Sequence, residues 1–570
     1  YLTIAVRNIL RHKVYSIINI AGLSVGMACT ILILLWVQYE LSFDRYHENA
    51  GRIFRLAVDI DFGKMRGKFA ISNYIAGLEL KADYPEVLEA VRFQRVRDKV
   101  SIQYNSRKFY GSDIFIVDNS IFDIFTFPLI RGDPKTALKS PFSIVISEEE
   151  ANAVFGDENP IGKVFNVENK YDFKVTGVIK SVPRNSHFRF DVLVSFETLN
   201  YLYGERKDEI VQNWLNHDNY TYLLLQEGFD YKKLEEKFPA FIEKHTGEKL
   251  RALGGKLDYF LQPLTSIHLH SDLDEEITEN KDISYIYVSF TIALFILFIA
   301  CINFMNLSTA RSAGRTTEVG IRRALGATRS QLIIQFFGES FLISFIALIL
   351  ALCIIELILP TFRSLSGSHL SLNIVSLPWL FMGLTGFLLF VGMLAGSYPA
   401  TFLSSFQPVQ ILKGKLRTGL TGSRFRRIMV LVQFSISIAL IAGTGIVFSQ
   451  LNYMKEKKLG FNREYIVVIP FGGNSIRQSI DHILTTLTSH SQIREAAASS
   501  NIPGQLPARH LFVPEGFNLD QSQMMDHISI SPNFIPTMGI KIAAGRNFSS
   551  LSGNDDSDTI LINEESALSL

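Results

Sequence analysis

Cysteine is scarce. The 570 residues contain three, Cys29, Cys301 and Cys353, all inside apolar runs, and no C-x-x-C pair. A disulfide framework and a cysteine-based metal or redox site are both excluded, and these thiols read as small buried hydrophobes. Net charge is nearly absent too, at +1, which removes the usual sign of a nucleic-acid partner. Motifs of covalent or metal catalysis are missing: there is no G-x-S-x-G and no H-E-x-x-H. "GDENPIGKV" (156–164) resembles a phosphate loop only superficially. Five residues separate its glycines, and Val164 stands where a hydroxyl would hold magnesium. "HLH" (268–270), with Asp272 nearby, lacks further ligands at metal spacing and reads as part of an exposed strand.

Charge is also absent from long stretches. Ser16–Val37, Ile283–Ala310 and Ile428–Met454 carry none. A bilayer core of about 30 Å needs about 20 apolar residues in a helix. Five segments meet that length: 15–37, 284–309, 332–358, 378–403 and 428–450. Helix is the only state that pairs its own backbone groups in lipid. The first segment is too long for the core of a cleaved signal, and no A-x-A site follows it, so it reads as an anchor.

Basic residues then orient the chain. Arg7, Arg11 and Lys13 precede the first span, five arginines occupy 310–331, and six Lys or Arg occupy 404–427 without an acid. The 359–377 connection has only Arg363. The bias places the N-terminus, 310–331 and 404–427 in the cytosol, with 38–282 and 451–570 outside. Residues 1–14 put Leu2, Ala5, Val6, Ile9 and Leu10 on one side and Arg7 and Arg11 on the other, as in an amphipathic surface helix or an extension of the span.

The outer segment 38–282 alternates strand-like runs ("FSIVIS", "DFKVTGVI", "FRFDVLVS", "NYTYLLLQ") with helical ones. "EEEANAVFG" predicts a helix stopped by Gly156, and "DYKKLEEKFPAFIEKHTG" one closed by Gly247. The class is therefore a multi-domain membrane protein, an α-helical transmembrane bundle with α+β outer domains.

An internal repeat runs through the chain. The basic-then-apolar stretch ending at Gln38 recurs ending at Gln450. "IFDIFTFPLIRG" (121–132) is echoed by "NFIPTMGIKIAAGR" (533–546), and "SIVISEEEA" (143–151) by "TILINEESA" (559–567). One unit is span, outer domain and three spans, so residues 451–570 read as the start of a second outer domain. A full second unit would extend the polypeptide to about 800 residues.

"EVGIRRALGATRSQ" (318–331) is the charged insert between two spans. Burying the five arginines of this connection would cost more than about 12 kcal/mol at about 2.5 each, so it stays in water or headgroups. Thr316 or Thr317 is placed to cap a short helix with Glu318 in its first turn, and Gly326 to end it. Ala327–Arg329 then turn the chain into the next span. The segment is either a plain basic loop or a docking helix, in which Ile321 and Leu325 flanked by arginines suit an acidic-rimmed groove. In the next span Glu339, near the inner end, is within reach of Arg322, Arg323 or Arg329. Glu356, near the outer end, is within reach of water.

"TTEVGIRRALGATRSQLIIQFFGESFLISFIALIL" (316–350) resembles the signature of MacB/FtsX-type ABC transporter permeases. "RNILRHKVYSIINIAGLSVG" resembles their opening segment. "DNSIFDIFTFPLIRGDPKTAL" and "SIVISEEEANAVFGDENPIGKVF" resemble the MacB-like periplasmic core. The doubled layout is similar to two-unit permeases of Bacteroidota. The resemblance implies an inner-membrane protein whose coupling helix, carried here by Glu318, Gly320, Ile321, Arg322, Arg323, Ala324, Leu325, Gly326 and Ala327, seats on an ATPase. No nucleotide-binding domain is fused in these residues, so ATP and magnesium are expected on a separate ABC ATPase chain, with no cofactor here. A periplasmic adaptor or outer-membrane partner is a further expectation. The function implied is mechanotransmission for efflux, or for lipoprotein or peptide handling. The alternative is a non-transporting, FtsX-like regulator of a cell-wall hydrolase.

Overall fold

The computed structural model describes residues 7, 10–62, 65–97, 99–111, 113–368, 370, 378–404, 420–457, 459–472, 474–504, 508–513, 515–516, 523–548 and 559–569. Most of the expected surface helix at 1–14 and of the basic connection at 404–427 lies outside these residues. The chain forms two compact units. One comprises 1–42 with 282–456, the other 43–281 with 457–570.

Along the chain, helix α1 (Lys13–Leu41) leads to an α+β domain. Its principal strands are β1 (Ile53–Phe62), β2 (Val87–Arg95), β3 (Ile114–Val117), β4 (Ser143–Ser147), β5 (Tyr171–Ile179), β6 (Val192–Ser195), β7 (His217–Leu225) and β8 (Lys256–Pro263). Two of its helices are α2 (Glu148–Phe155) and α3 (Phe238–Leu253). Helices α4 (Ile283–Ala324), α5 (Arg329–Ser366), α6 (Pro378–Ser404) and α7 (Leu420–Glu456) follow.

The eight strands lie in one mixed, fourteen-stranded sheet in the order β8-β1-β7-β2-β3-β6-β4-β5, continued by three shorter strands. Side chains alternate across a strand, and here both faces are covered. Phe54, Leu56, Val58 and Ile60 of β1 pack under Phe238, Phe241, Ile242 and Leu250 of α3. Ile53 faces the opposite core, which is rich in aromatic side chains such as Phe93, Phe125, Phe188 and Tyr222. Arg55 points to that same side and is wholly buried. It donates to Glu276 Oε2 and Oε1 at 2.5 and 2.8 Å, to Gln262 at 2.5 Å and to Ser271 at 3.0 Å. A bidentate carboxylate is what makes a buried guanidinium tolerable.

Three local expectations change. The stretch from Asp230 to Gly247 is two helices, a short one over Tyr231–Glu235 and then α3. Pro239, with no N–H to donate, sits in the first turn of α3, where none is needed. The closing glycine is Gly254, in the left-handed region at φ +64°, whereas Gly247 is buried inside the helix. "HLH" belongs to a helical turn, Ile267–His270, rather than a strand. Pro263, which cannot donate to a ladder, ends β8 just before it. The predicted helix at 148–155 is present, with Ser147 Oγ accepting from the Glu150 amide and Gly156 following it.

In the helical unit, five helices among the described residues are long and apolar enough to cross a membrane: Lys13–Leu41, Ile283–Ala310, Arg329–Ser366, Leu380–Thr401 and Arg424–Glu456. Leu23, Met27, Ile31 and Leu32 of α1 pack with Leu297 and Cys301 of α4 and with Ala347, Ala351 and Ile355 of α5. Gly26 permits the close crossing, because a Cβ there would lie 2.5 Å from that of Ala300. Thr30 Oγ1 bonds across it to the Ala293 carbonyl at 3.2 Å. Of the cysteines, Cys301 is buried as expected, whereas Cys353 faces outward on the apolar surface of α5.

The repeat has a structural counterpart. A single helical turn at Ile121–Ile124 precedes Gly132 at φ +98°, and one at Phe534–Thr537 precedes Gly545 at φ +83°.

Glu276→Gln should leave Arg55 buried without its counter-charge and cost about 3 kcal/mol, read as a lower denaturant midpoint from the fluorescence of buried Trp214. Burial holds His47 and His217 down to about 4 from an ordinary 6.5. The unfolded chain therefore takes up protons first, and stability falls as pH drops from about 6.5 towards 4. The loss is up to about 1.4 kcal/mol per pH unit for each histidine. Unfolding midpoints that stay flat across that window would contradict the burial of both rings as neutral groups.

Candidate functional site: the arginine turn between α4 and α5

Helix α4 has 42 residues. At 1.5 Å per residue it is about 63 Å long, twice the hydrocarbon thickness. Its apolar part ends at Ala310, and the charged part continues as the same helix. The expected fresh start at Thr316 or Thr317 does not occur. Alanine and arginine are good helix formers, and the preceding turns already satisfy the amides that a cap would serve. Glu318 and Gly320 therefore lie in the helix interior.

Termination follows the expected glycine. The Gly326 amide donates to the Arg323 carbonyl at 3.1 Å and the Ala327 amide to that of Arg322 at 3.0 Å. Gly326 sits at φ +98°, a conformation only glycine takes cheaply. These paired bonds form a Schellman stop. Two residues later α5 begins with a capping box. Thr328 Oγ1 accepts from the Gln331 amide, and Gln331 Oε1 from the Thr328 amide at 3.0 Å. The glycine stop and the capping box thus tie both helix ends at the turn into a defined corner.

On this corner Ile321 is half exposed and Leu325 is 82% exposed, one helical turn apart. Arg322 and Arg323 are half-buried beside them. Arg322 Nη1 donates to Gln335 Oε1 at 2.5 Å, and Gln335 Nε2 donates to Glu339 Oε1 at 3.3 Å. Gln335, a buried residue that the sequence reading did not single out, thus bonds both Arg322 and Glu339. Its signal was available: Gln331, Gln335 and Glu339 recur every four residues along an otherwise apolar helix. Beneath, Leu332 and Phe336 pack on Ala400 of α6. Glu356 is exposed and lies seventeen residues further along α5, about 26 Å away, so the two acids do not share a site. The side chains of Glu318 and Ala324 lie outside the described residues.

Chemically, the corner offers an apolar pair ringed by guanidinium groups on a braced scaffold. Among the described residues it contains no nucleophile or general base arrangement. It is suited to seating in a complementary protein groove.

Residues 16–241 match the family model described as the MacB-like periplasmic core domain, and residues 290–408 that described as the FtsX-like permease C-terminal. The macrolide export ATP-binding/permease protein MacB of Bdellovibrio bacteriovorus is 24% identical over 276 residues, 47% of this chain and 38% of that protein. The protein of that name from Campylobacter jejuni is 25% identical over 432 residues, covering 72% and 60%. The chain thus spans between 38% and 60% of the length of these relatives. The crystal structure of the periplasmic region of MacB from Actinobacillus actinomycetemcomitans is 17% identical, covering 37% of this chain and 90% of that one, with a TM-score of 0.27.

Replacing Gln335 with Leu should remove the brace on Arg322 and leave Glu339 without its amide donor, at a cost of about 1–3 kcal/mol. Arg322 should then react faster with a dicarbonyl arginine reagent, followed by mass spectrometry. An unchanged rate would show that Gln335 does not hold it.

Proposed function

We propose, for a chain that belongs to the MacB/FtsX-type ABC transporter permeases, that it transmits the ATP-driven motion of a separate ABC ATPase to periplasmic work. The observation that carries this reading is the continuity of α4. One helix joins the apolar span to the corner bearing exposed Ile321 and Leu325. A rigid helix moves as a body, so a push at the corner reaches the other end of the span. The bias of basic residues supports a cytosolic corner and a periplasmic α+β domain, with the chain in the inner membrane.

In this reading ATP and magnesium reside on the partner. Glu318, Gly320, Ile321, Arg322, Arg323, Ala324, Leu325, Gly326 and Ala327 form the docking element, and Gln335 and Glu339 stiffen it. Apart from Glu339 and Glu356 the apolar runs 15–37, 284–309, 332–358, 378–403 and 428–450 carry no acid, which favours work done beyond the membrane over a polar solute path through it. The relatives are macrolide export proteins by name, which makes macrolide export one candidate task. Lipoprotein or peptide handling, with a periplasmic adaptor or an outer-membrane partner, is the broader class.

Ile321→Asp or Leu325→Asp should abolish permease-stimulated ATP hydrolysis in the complex purified from native membranes, while leaving the chain folded. Each places a carboxylate where the docking groove expects an apolar side chain, and the exposed position spares the fold. Full stimulation in both variants would rule out docking at this corner.

A further inference from the structure

The α+β domain joins the membrane helices through two strands of chain. Residues 43–44 follow α1, and residues 278–281 precede α4. Two buried histidines each hold both strands. The ring of His268 stacks on Phe43, with centroids 3.4 Å apart and planes within 3°, and its backbone carbonyl accepts from the Lys281 amide at 2.9 Å. His187 Nδ1 lies 2.9 Å from Asp44 Oδ2, and the His187 amide donates to Asp44 Oδ1 at 3.0 Å. The His187 carbonyl accepts from Thr278 Oγ1 at 3.2 Å. His187 Nε2 is fixed in turn by the Tyr222 hydroxyl of β7 at 2.7 Å.

Asp44 is built for this place. It is fully buried, holds a positive φ of 58°, accepts from Ser186 Oγ at 3.0 Å and donates its amide to the Asn185 carbonyl at 2.9 Å. Burial pushes its carboxyl up, and the His187 and Ser186 contacts more than offset this, holding it below the usual range. The outgoing strand is further tied to the sheet. Asp274 exchanges backbone bonds with Lys68 and Ala70, and Glu276 receives buried Arg55. A loose connector would show none of this: a buried non-glycine residue at positive φ, a buried carboxylate, one ring stacked on Phe43 and another held at both nitrogens.

We propose that His187 and His268 are positioning residues that clasp the incoming and outgoing strands at the root of the domain, so that α1 and α4 drive it as one lever. This rests on the mechanotransmission reading for its purpose, though the clasp itself is independent of it. It also gives a role to "HLH", of which His268 is the working member.

The test uses the full chain in nanodiscs, with Cys29, Cys301 and Cys353 replaced by Ala. Spin labels are placed at exposed Arg45 and Glu279 across the root, and at exposed Lys108 and Lys139 within the domain. Phe43→Ala combined with Thr278→Val removes one hold on each histidine without stranding a charge. We expect the root distance to lose its single narrow distribution while the Lys108–Lys139 distance keeps its own. Stimulated ATP hydrolysis by the co-purifying ABC ATPase should fall in the same variant. Bridging the Arg45→Cys, Glu279→Cys pair with a bis-maleimide crosslinker instead of labels should restore it. A root distance that stays narrow in the variant would overturn the clasp. A broadened root with full stimulation would overturn its role as a lever. Stimulation that survives Ile321→Asp would instead sink docking at the arginine corner, and the label distances would still decide the clasp.

Discussion

Hydrocarbon accepts neither an unpaired peptide group nor an arginine, and most of this architecture follows from that pair of prohibitions. The first makes each apolar run a helix from end to end. The second forces the chain to carry its arginines clear of the lipid before it can turn back. Helix α4 meets both by continuing unbroken past Ala310 and placing Arg322 and Arg323 at its far end. The turn is then closed with backbone bonds rather than slack, through the glycine stop at Gly326 and the capping box at Thr328. A corner made this way is stiff, which suits the coupling role proposed for it.

The α+β domain solves a different problem with related means. Its sheet is covered on both faces, so a charged residue can sit inside it only with full compensation. Arg55 has that compensation from Glu276, Gln262 and Ser271, and two of these three lie beyond β8 in the segment leading back to α4. The same segment supplies Thr278 and Lys281 to the histidine contacts. Polar groups buried at this domain's root thus tie the returning chain to the sheet, where an apolar seam would leave its register free to slip.

Much of this was legible in the residues. The five apolar runs stand out by length, the arginine insert by its cost in lipid, and Gly326 by its place after a helical pattern. "SIVISEEEA" showed its strand and helix because the cap, acids and alternation all agree there. Other features were hidden for definite reasons. Thr316 and Thr317 look like caps, but a cap forms only where the preceding turns leave amides unpaired, and here they do not. Gly247 looks like a stop, but a glycine inside a packed helix and one at its end are the same letter. "HLH" alternates like a strand, yet burial of Ile267, His268 and Leu269 together favours a turn.

By itself the sequence settled which runs are long and apolar enough to cross lipid, which connection holds the arginines and that an α+β domain intervenes, because transfer costs and period-two or period-3.6 patterns are sums over neighbouring residues. Only the folded chain decided that α4 is one rod, that Gln335 bonds both Arg322 and Glu339, and that Phe43 and Lys281 meet at His268. Those contacts join residues from four (Gln335 and Glu339) to 225 (Phe43 and His268) positions apart. Their existence depends on packing that brings distant segments together, and local patterns carry no record of it.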